Sequence, residues 1–550
     1  MMRHYIGVDV GTGSVRAAIV SEAGELMATS VAEITTWNRA VDHYEQSSDN
    51  IWSAVTTTVK SVLETSGVDK DQVRGVGFDG TCSLVVLDQH FQPVSVSKSG
   101  RPECNVILWM DHRAATQANT INQTGSSVLQ YVGGRMSLEM QMPKLCWLKQ
   151  NLKDQCWNHS AHFFDLPDFL TWRATHSMSR SLCTLVCKWG YVAGTETDSG
   201  WNGDFFKKIG LEDLIHDNYS KIGSEVRAPG EACGNGLTRE AAEELGLNPG
   251  TPVGTALIDA HAGGVGCLGC VPSSLKSPLP AVTGRLVLIC GTSSCHMAIS
   301  KSAIFVGGVW GPYYSAMLPE HWLNEGGQSA TGKLIDFVIE SHPAYQEALS
   351  QANKSDVHIH SFLNSQLEVM TDNKGGQSVA QLTADLHIWP DFHGNRSPIA
   401  DPSLKGMVCG LTLSSGIDNL ALIYLATVQA LTYGTRHIIS EMNRSGHSIS
   451  LVYLCGGLRN NQLFVTTTAD ILNMPVVLPD NTESVLLGSA ILGARASGDC
   501  ASIQDAMGKM GGKGSVVMPD KNVHQYHDKK YQVYLKMLEH QREYTQIMAQ

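Results

Sequence analysis

The chain has 550 residues, 43% of them hydrophobic and 17% charged, a balance that excludes an intrinsically disordered protein. Its net charge of −12 and pI near 5.9 argue against nucleic acid and anionic membrane as partners. Fourteen scattered cysteines suit a reducing cytoplasm, no apolar run approaches the ~20 residues of a membrane span, and MMRHYIGVDVG lacks the shape of a signal peptide.

A chain of this length exceeds one core, so two domains are expected. The first opens with an apolar run, Tyr5, Ile6, Val8 and Val10, which carries Asp9 and breaks at Gly11-Thr12-Gly13-Ser14 before a second β-prone run, Val15 to Val20. Two such runs around a short Gly-containing break predict a β-hairpin. Gly11 and Gly13 are expected to open backbone conformations closed to other residues, so that turn N–H groups converge on an anion. Thr12 and Ser14 add hydroxyl donors and Arg16 a fixed charge; an ordinary hairpin with a polar turn also fits. Glu25 to Ile34 predicts a third strand. DNIWSAVTTTVKSVLETSG predicts a helix capped by Asp49 or Asn50 and closed at Gly67. VRGVGFDGTCSLVVLD predicts two strands around a Phe78-Asp79-Gly80-Thr81 turn. VILWMDHRA, Val106 to Ala114, leads into a mainly helical stretch reaching about Leu170. Val253 to Ile258 is a strand followed by a helix of small residues, and the Pro/Ser-rich Val271 to Gly284 reads as the interdomain linker. The expected domains are therefore 1–272 and 285–550.

The second half repeats the opening. In LICGTSSCHMAIS, Gly291, Thr292, Ser294, Ala298 and Ile299 match Gly11, Thr12, Ser14, Ala18 and Ile19 at an offset of 280 residues. Two related domains, each opening with such a hairpin, would face one nucleotide across a cleft. HWLNEGGQSATGKLIDFVIE reads as a turn into a helix, with HWLNE a poor buried strand. His342 to Gln381 is polar with little periodicity and reads as an insertion. Asp391 to Gly406 is a Gly/Pro loop, Leu420 to Met442 an amphipathic helix, and SLVYLCGGLRNNQLFVTTTADILNMPVVL gives strand, Gly-Gly turn, helix and strand. A last helix covers Gln525 to Met548.

Three patterns are decoys. Gly327 to Lys333 matches most of a P-loop, yet Leu334 stands where a cation-binding Ser or Thr belongs. Gly264, Gly266 and Gly269 satisfy GxGxxG without the acidic residue downstream and suit close helix packing instead. Cys267 and Cys270 are half of a zinc site and read as buried thiols. Asp259 is different: it ends a strand and opens a helix, a junction that points a carboxylate at a cleft, although a helix cap uses the same position.

Together these segments resemble the FGGY carbohydrate kinases, sugar kinases of the actin-like ATPase superfamily, over roughly residues 5 to 540. FDGTCSLVVLD, CKWGY, IDAHAGG, ICGTSSCHM and DFHGNRSP carry the resemblance, which is nearest the ribulokinase-like branch. It implies an α/β fold of two actin-like (ribonuclease H-like) domains facing a central nucleotide cleft. It also implies ATP-dependent phosphorylation of a pentulose, D-ribulose first, with L-ribulose, xylulose, another polyol or a non-catalytic ATPase switch as alternatives. By resemblance Asp259 is the base that takes the sugar hydroxyl proton, and Asp79, Lys188, Glu325, Trp109 and Asp111 form the sugar site. Thr12, Gly13, Ser14, Arg16, Gly291, Thr292 and Ser293 would hold phosphates. Gly327, Gly456, Gly457 and Asn460 would complete the nucleotide side. Mg²⁺ would be held through water by Asp9 and Asp259. Gln429 stands where the family commonly has Glu. The implied partners are ATP and a small sugar in the cytoplasm, without nucleic acid or membrane, and assembly stays open between monomer and homodimer.

Overall fold

A computed structural model describes residues 2–196, 199–275, 278–373 and 378–549. His4–Val10 (β1) and Ser14–Ser21 (β2) form the expected antiparallel hairpin. Leu26–Glu33 (β3) extends it, with alternating burial because one face of this edge strand meets water. Ser48–Ser66 (α1) lays Ile51, Val55, Val59 and Val62 on the sheet at helical spacing. Its cap is Ser47, whose hydroxyl accepts the Asn50 N–H at 3.2 Å, and not Asp49 or Asn50. The Asn50 side chain is engaged elsewhere, accepting the Thr35 N–H at 2.8 Å. Gly67 closes the helix in the left-handed region at φ 65°.

Val73–Gly80 (β4) runs parallel to β1, and Val253–Ile258 (β5) runs parallel to β4, giving the order β5-β4-β1-β2-β3. The expected Phe78–Thr81 turn is not one: Phe78, Asp79 and Gly80 pair with β1 as the end of β4, and Leu84–Leu87 beyond them enters a separate five-stranded sheet. There it pairs with His162–Asp165, a strand inside the stretch expected to be helical. Those four residues are too few to show a period. Leu182–Lys188 (α2) lies against β5, and Asp259–Leu268 (α3) leaves the end of β5 directly.

The second half repeats the plan. Arg285–Cys290 (β6), Ser294–Ser300 (β7) and Trp322–Gln328 (β8) pair antiparallel in turn. Ile417–Arg444 (α4) then leads to Leu451–Cys455 (β9), parallel to β6, and Val476–Pro479 (β10), parallel to β9. The order β10-β9-β6-β7-β8 reproduces the first sheet, so the repeat in sequence is a repeat in topology. Contrary to expectation, all of HWLNE but His321 belongs to a buried strand, β8, because its polar side chains find partners: Asn324 bonds His447 at 2.9 Å and Glu325 accepts from Arg396 at 2.9 Å. The polar stretch after His342 is also ordered. Tyr345–Lys354 and Ile359–Asn373 are helices that bury Ala348, Leu363 and Leu367, too few apolar residues to mark a period; residues 374–377 lie outside the described residues. In the linker, Val271–Pro272 pairs with Lys513–Val517 of the second sheet, while Lys276 and Ser277 lie outside the described residues.

Ser484–Ala496 (α5) follows β10 as α3 follows β5, and the two helices exchange sides: α5 rests on β1, β4 and β5, whereas α3 rests on β6 and β9. They cross backbone to backbone. A Cβ on Gly488 would stand 1.9 Å from the Ala262 carbonyl oxygen, and one on Gly266 would stand 1.9 Å from that of Ser484. The glycine pattern in α3 is thus a packing device. His524–Met548 (α6) packs along α4. All fourteen cysteines are free thiols, and among the described residues no helix is long and apolar enough to cross a membrane.

Candidate active site

Parallel strands release their chain ends at one edge, and β1, β4 and β5 bring three carboxylates to it. Asp9 pairs in register with Asp79, and Asp259 follows Ile258, which pairs with Gly80. The second half faces this edge with the turn at the end of β6. Between them lies a cavity of about 430 Å³ lined by Asp9, Thr12, Lys188, Asp259, Thr292 and Glu325. A second chamber of about 700 Å³ adjoins it, sharing Thr12, Trp109, Thr292 and Arg396 and adding Lys333 and Phe337.

The two turns are built alike. The Gly11 N–H donates to the Ser14 carbonyl at 3.0 Å, and the Gly291 N–H to the Ser293 carbonyl at 2.9 Å. Neither Gly11, Gly13 nor Gly291 has a positive φ, so these turns do not use the unusual backbone expected of them. Thr12, Ser14, Gly291, Thr292 and Ser293 line the cleft, whereas Gly13 sits exposed at the hairpin tip and does not. Trp109 donates from Nε1 to the Thr12 hydroxyl at 3.0 Å and walls both chambers. Arg16 lines the cleft but is mostly engaged: it donates to Asp9 at 2.9 Å and to Glu483, from the second half, at 2.7 Å.

Asp259 is the first residue of α3. Its Oδ1 accepts the Ala260 N–H at 2.7 Å, and Ile258 takes the cap position. Burial, with the Asp9 charge beside it, pushes the Asp259 carboxyl up to about 6. Lys188, at the end of α2, lies 4.3 Å from the Trp310 ring centre, and the Arg396 guanidinium lies 4.1 Å from the same ring. Arg396 donates to Glu325 Oε1 at 2.9 Å and lies 3.9 Å from Glu139 of the first half, so it spans the cleft. Burial alone would raise the Glu325 carboxyl, but Lys188, Arg396 and His261 hold it below its ordinary value. Burial likewise works against the Lys188 ammonium, and the groups around it, Cys82, Glu325 and Glu139, outweigh that and raise it.

Several expected site residues lie elsewhere. Asp79 is fully buried beneath the cleft, where it accepts from the Ser489 hydroxyl of α5; burial and the neighbouring Asp9 push its carboxyl well up. It joins the two halves and does not line the cavity. Asp111 is also enclosed, accepting from Arg113 Nε at 2.8 Å and from the Tyr44 N–H at 2.7 Å, a buried ion pair that lines neither chamber. Gly327 lies under Arg396, whose Cδ would be 2.7 Å from an added Cβ. Gly456 has φ 85° because its turn presses on the end of β6, with Cys290 O 2.4 Å from an added Cβ. Gly456, Gly457 and Asn460 line neither chamber, and Asn460 is exposed. Leu334 is buried where a P-loop needs a hydroxyl, so that pattern remains a decoy.

Sequence reasoning passed over Arg396, Glu139 and Trp310. A single arginine in a Gly/Pro loop has no spacing to mark it; only the HGNRSP segment around it stood out.

The chain is 57% identical over 548 residues to an FGGY carbohydrate kinase domain-containing protein of Homo sapiens, covering 99% of this chain and 98% of that one. It is 40% identical over 518 residues to a D-ribulokinase of Saccharomyces cerevisiae, covering 90% of this chain and 72% of the relative. A xylulose kinase from Rhodospirillum rubrum, 18% identical, shares the fold with a TM-score of 0.78 over 98% of this chain and 99% of that one. The fold is accordingly α/β, with two actin-like (ribonuclease H-like) domains about a cleft. Two family models, the N-terminal domain over residues 4–266 and the C-terminal domain over 286–497, match its two halves: the chain belongs to the FGGY family of carbohydrate kinases.

Proposed function

We propose that this carbohydrate kinase transfers phosphate from ATP to the primary hydroxyl, O5, of a ketopentose, D-ribulose in first place. One observation carries this reading: Lys188, Arg396 and Glu325 converge in the cavity that Asp259 also lines. The base would meet the same primary hydroxyl in glycerol and in a pentulose, so it cannot choose between them. Groups that pair the other hydroxyls and the carbonyl must do so, and a cation pair with a carboxylate is more than glycerol can satisfy. The D-ribulokinase relative supports the same choice.

Asp259 presents its second oxygen to the cleft and would accept the hydroxyl proton as the oxygen attacks. Lys188 and Glu325 would fix the sugar. Thr12 and Ser14 from one half and Thr292 and Ser293 from the other would donate to phosphate oxygens, while Arg16 holds Asp9 in place. Asp9 and Asp259, hard oxygen donors facing one cavity with Asp79 Oδ1 unpartnered behind them, fit a Mg²⁺ held through water. ATP with that ion supplies the transferable phosphoryl group and neutralises its charge. Closure of the halves about α3 and α5 would exclude water, the competing acceptor.

The test is kcat/KM for D-ribulose, L-ribulose, D-xylulose and glycerol, with the phosphorylated position read by phosphorus NMR. D-ribulose should lead, and glycerol should trail by as much as ~10⁴–10⁵ because it leaves the buried polar groups unpaired. Glycerol or xylulose leading the series would sink the assignment, and ATP hydrolysis indifferent to all four would return the molecule to a nucleotide-driven switch.

A further inference from the structure

Beneath the sugar pocket lies a cluster for which phosphoryl transfer has no use. Cys183 and Cys187 sit one turn apart on α2, which places them on one face, and His261 meets them from the first turn of α3. Their donor atoms all lie within 4.8 Å of one another, and Cys187 Sγ is 3.6 Å from His261 Nε2. All three residues are buried. Glu325 stands outside that group, but its Oε2 is 3.9 Å from the same imidazole nitrogen and, among the described residues, has no hydrogen-bond partner, so it reaches the thiols' common centre only by turning toward them.

These spacings suit a metal. Zinc binds thiolate sulfur at about 2.3 Å and imidazole nitrogen at about 2.0 Å, so tetrahedral neighbours stand about 3.5 Å apart. A thiol–imidazole hydrogen bond alone accounts for Cys187 and His261. A thiol–thiol hydrogen bond from Cys187 accounts for Cys183; neither bond accounts for the carboxylate oxygen beside the same ring.

We propose that Cys183, Cys187 and His261, with Glu325 as fourth ligand, bind a thiophilic divalent cation of the zinc type, and that its occupancy shuts the sugar pocket. One cation enters, two thiol protons leave to solvent, and no electron changes hands. Glu325 lines the cavity and Cys187 directly precedes Lys188, so the cation takes Glu325 from Arg396 and from substrate. Only this inhibitory half rests on the sugar-site reading above; the binding half does not.

The experiment titrates the full-length protein, free of nucleotide, with Co²⁺ and follows thiolate-to-cobalt charge transfer and tetrahedral d–d absorption. One equivalent should produce both bands. One equivalent of Zn²⁺ should displace it and abolish sugar phosphorylation, with recovery by a zinc-selective chelator that leaves Mg²⁺ in solution. Cys183→Ala should keep its metal-free turnover, become insensitive to Zn²⁺, and bind Co²⁺ more weakly by at least the roughly 10- to 100-fold that even an outer-shell partner contributes. Cys187→Ala repeats the test should the first variant not fold. Co²⁺ spectra without a thiolate band, or bands unchanged in both variants, would overturn the site. Both bands with full turnover would uphold the site and overturn its inhibitory role.

Discussion

Replacing Asp259 with Asn separates stability from catalysis in opposite directions. The Asn side-chain oxygen still accepts the Ala260 N–H that now holds Asp259 Oδ1 at 2.7 Å, so the start of α3 is preserved. What is lost is the charge. Burial and Asp9 raise the carboxyl from 3.8 to about 6. An acid whose folded pKa lies above its unfolded value destabilises the fold as pH rises through the window between them, here about 4 to 6, and the cost persists above it. A rise of about two units amounts to roughly 3 kcal/mol, so Asp259→Asn should be more stable at pH 7 by up to that amount. Turnover should move the other way. Loss of a positioned base costs ~10²–10⁴ in rate, about 3–5 kcal/mol of barrier, and the variant should retain its affinity for ADP because the turns that face phosphate are untouched. The wild-type rate should fall tenfold per pH unit below about 6 as the carboxyl takes up its proton, and the residual rate of the variant should be flat there. Steady-state kinetics over pH, ADP calorimetry and thermal melts read all three quantities. A variant within tenfold of wild-type turnover at pH 7 would refute the assignment of Asp259 as the base.

Thr12→Ala and Thr292→Ala, in opposite halves, should each weaken ADP binding about 2- to 12-fold, the worth of one hydroxyl hydrogen bond, by calorimetry; an effect confined to one half would break the shared-cleft reading. Gly488→Ala places a methyl 1.9 Å from the Ala262 carbonyl, so α3 and α5 must separate by more than an ångström. A cost of about 1–3 kcal/mol in stability and, through Asp259 on the displaced α3, a ~10²-fold drop in kcat should follow, and an unchanged melt would show that the helices are not in forced contact. Asp499 resists burial by accepting from Arg74 and Tyr5, which holds its carboxyl below the ordinary value and ties the first strand and β4 to the second half. This contribution is present above the ordinary carboxylate range, about pH 4, and is lost as pH falls through the lowered folded value. Asp499→Asn should therefore melt earlier at pH 7 and show a shallower acid decline; a difference that grows toward acid would contradict it.

Local pattern was enough for the repeated hairpin, the β5–α3 junction at Asp259 and the glycine packing of α3. Each is written within a dozen consecutive residues as alternation, a break and small side chains, and short-range sterics alone interpret it. The strand in HWLNE and the two helices after His342 were misread because what allows them to be buried, His447 and Arg396 for the strand and α4 for the helices, lies far along the chain. The same division runs through the site. The types Asp, Lys and Glu were visible at positions 79, 111, 188, 259 and 325, but a carboxylate looks the same in sequence whether it faces a cleft or a neighbour. Asp259 and Glu325 face the cavity; Asp79 is covered by Ser489 and Asp111 by Arg113. Arg396 acquires its place only when the loop that carries it folds over Trp310 and reaches Glu139 of the first half. The sequence by itself determined which chemistry this chain carries, because that is a property of side chains. Which of those groups faces the cavity was decided only by the tertiary structure, because burial and partnership are set by residues hundreds of positions apart.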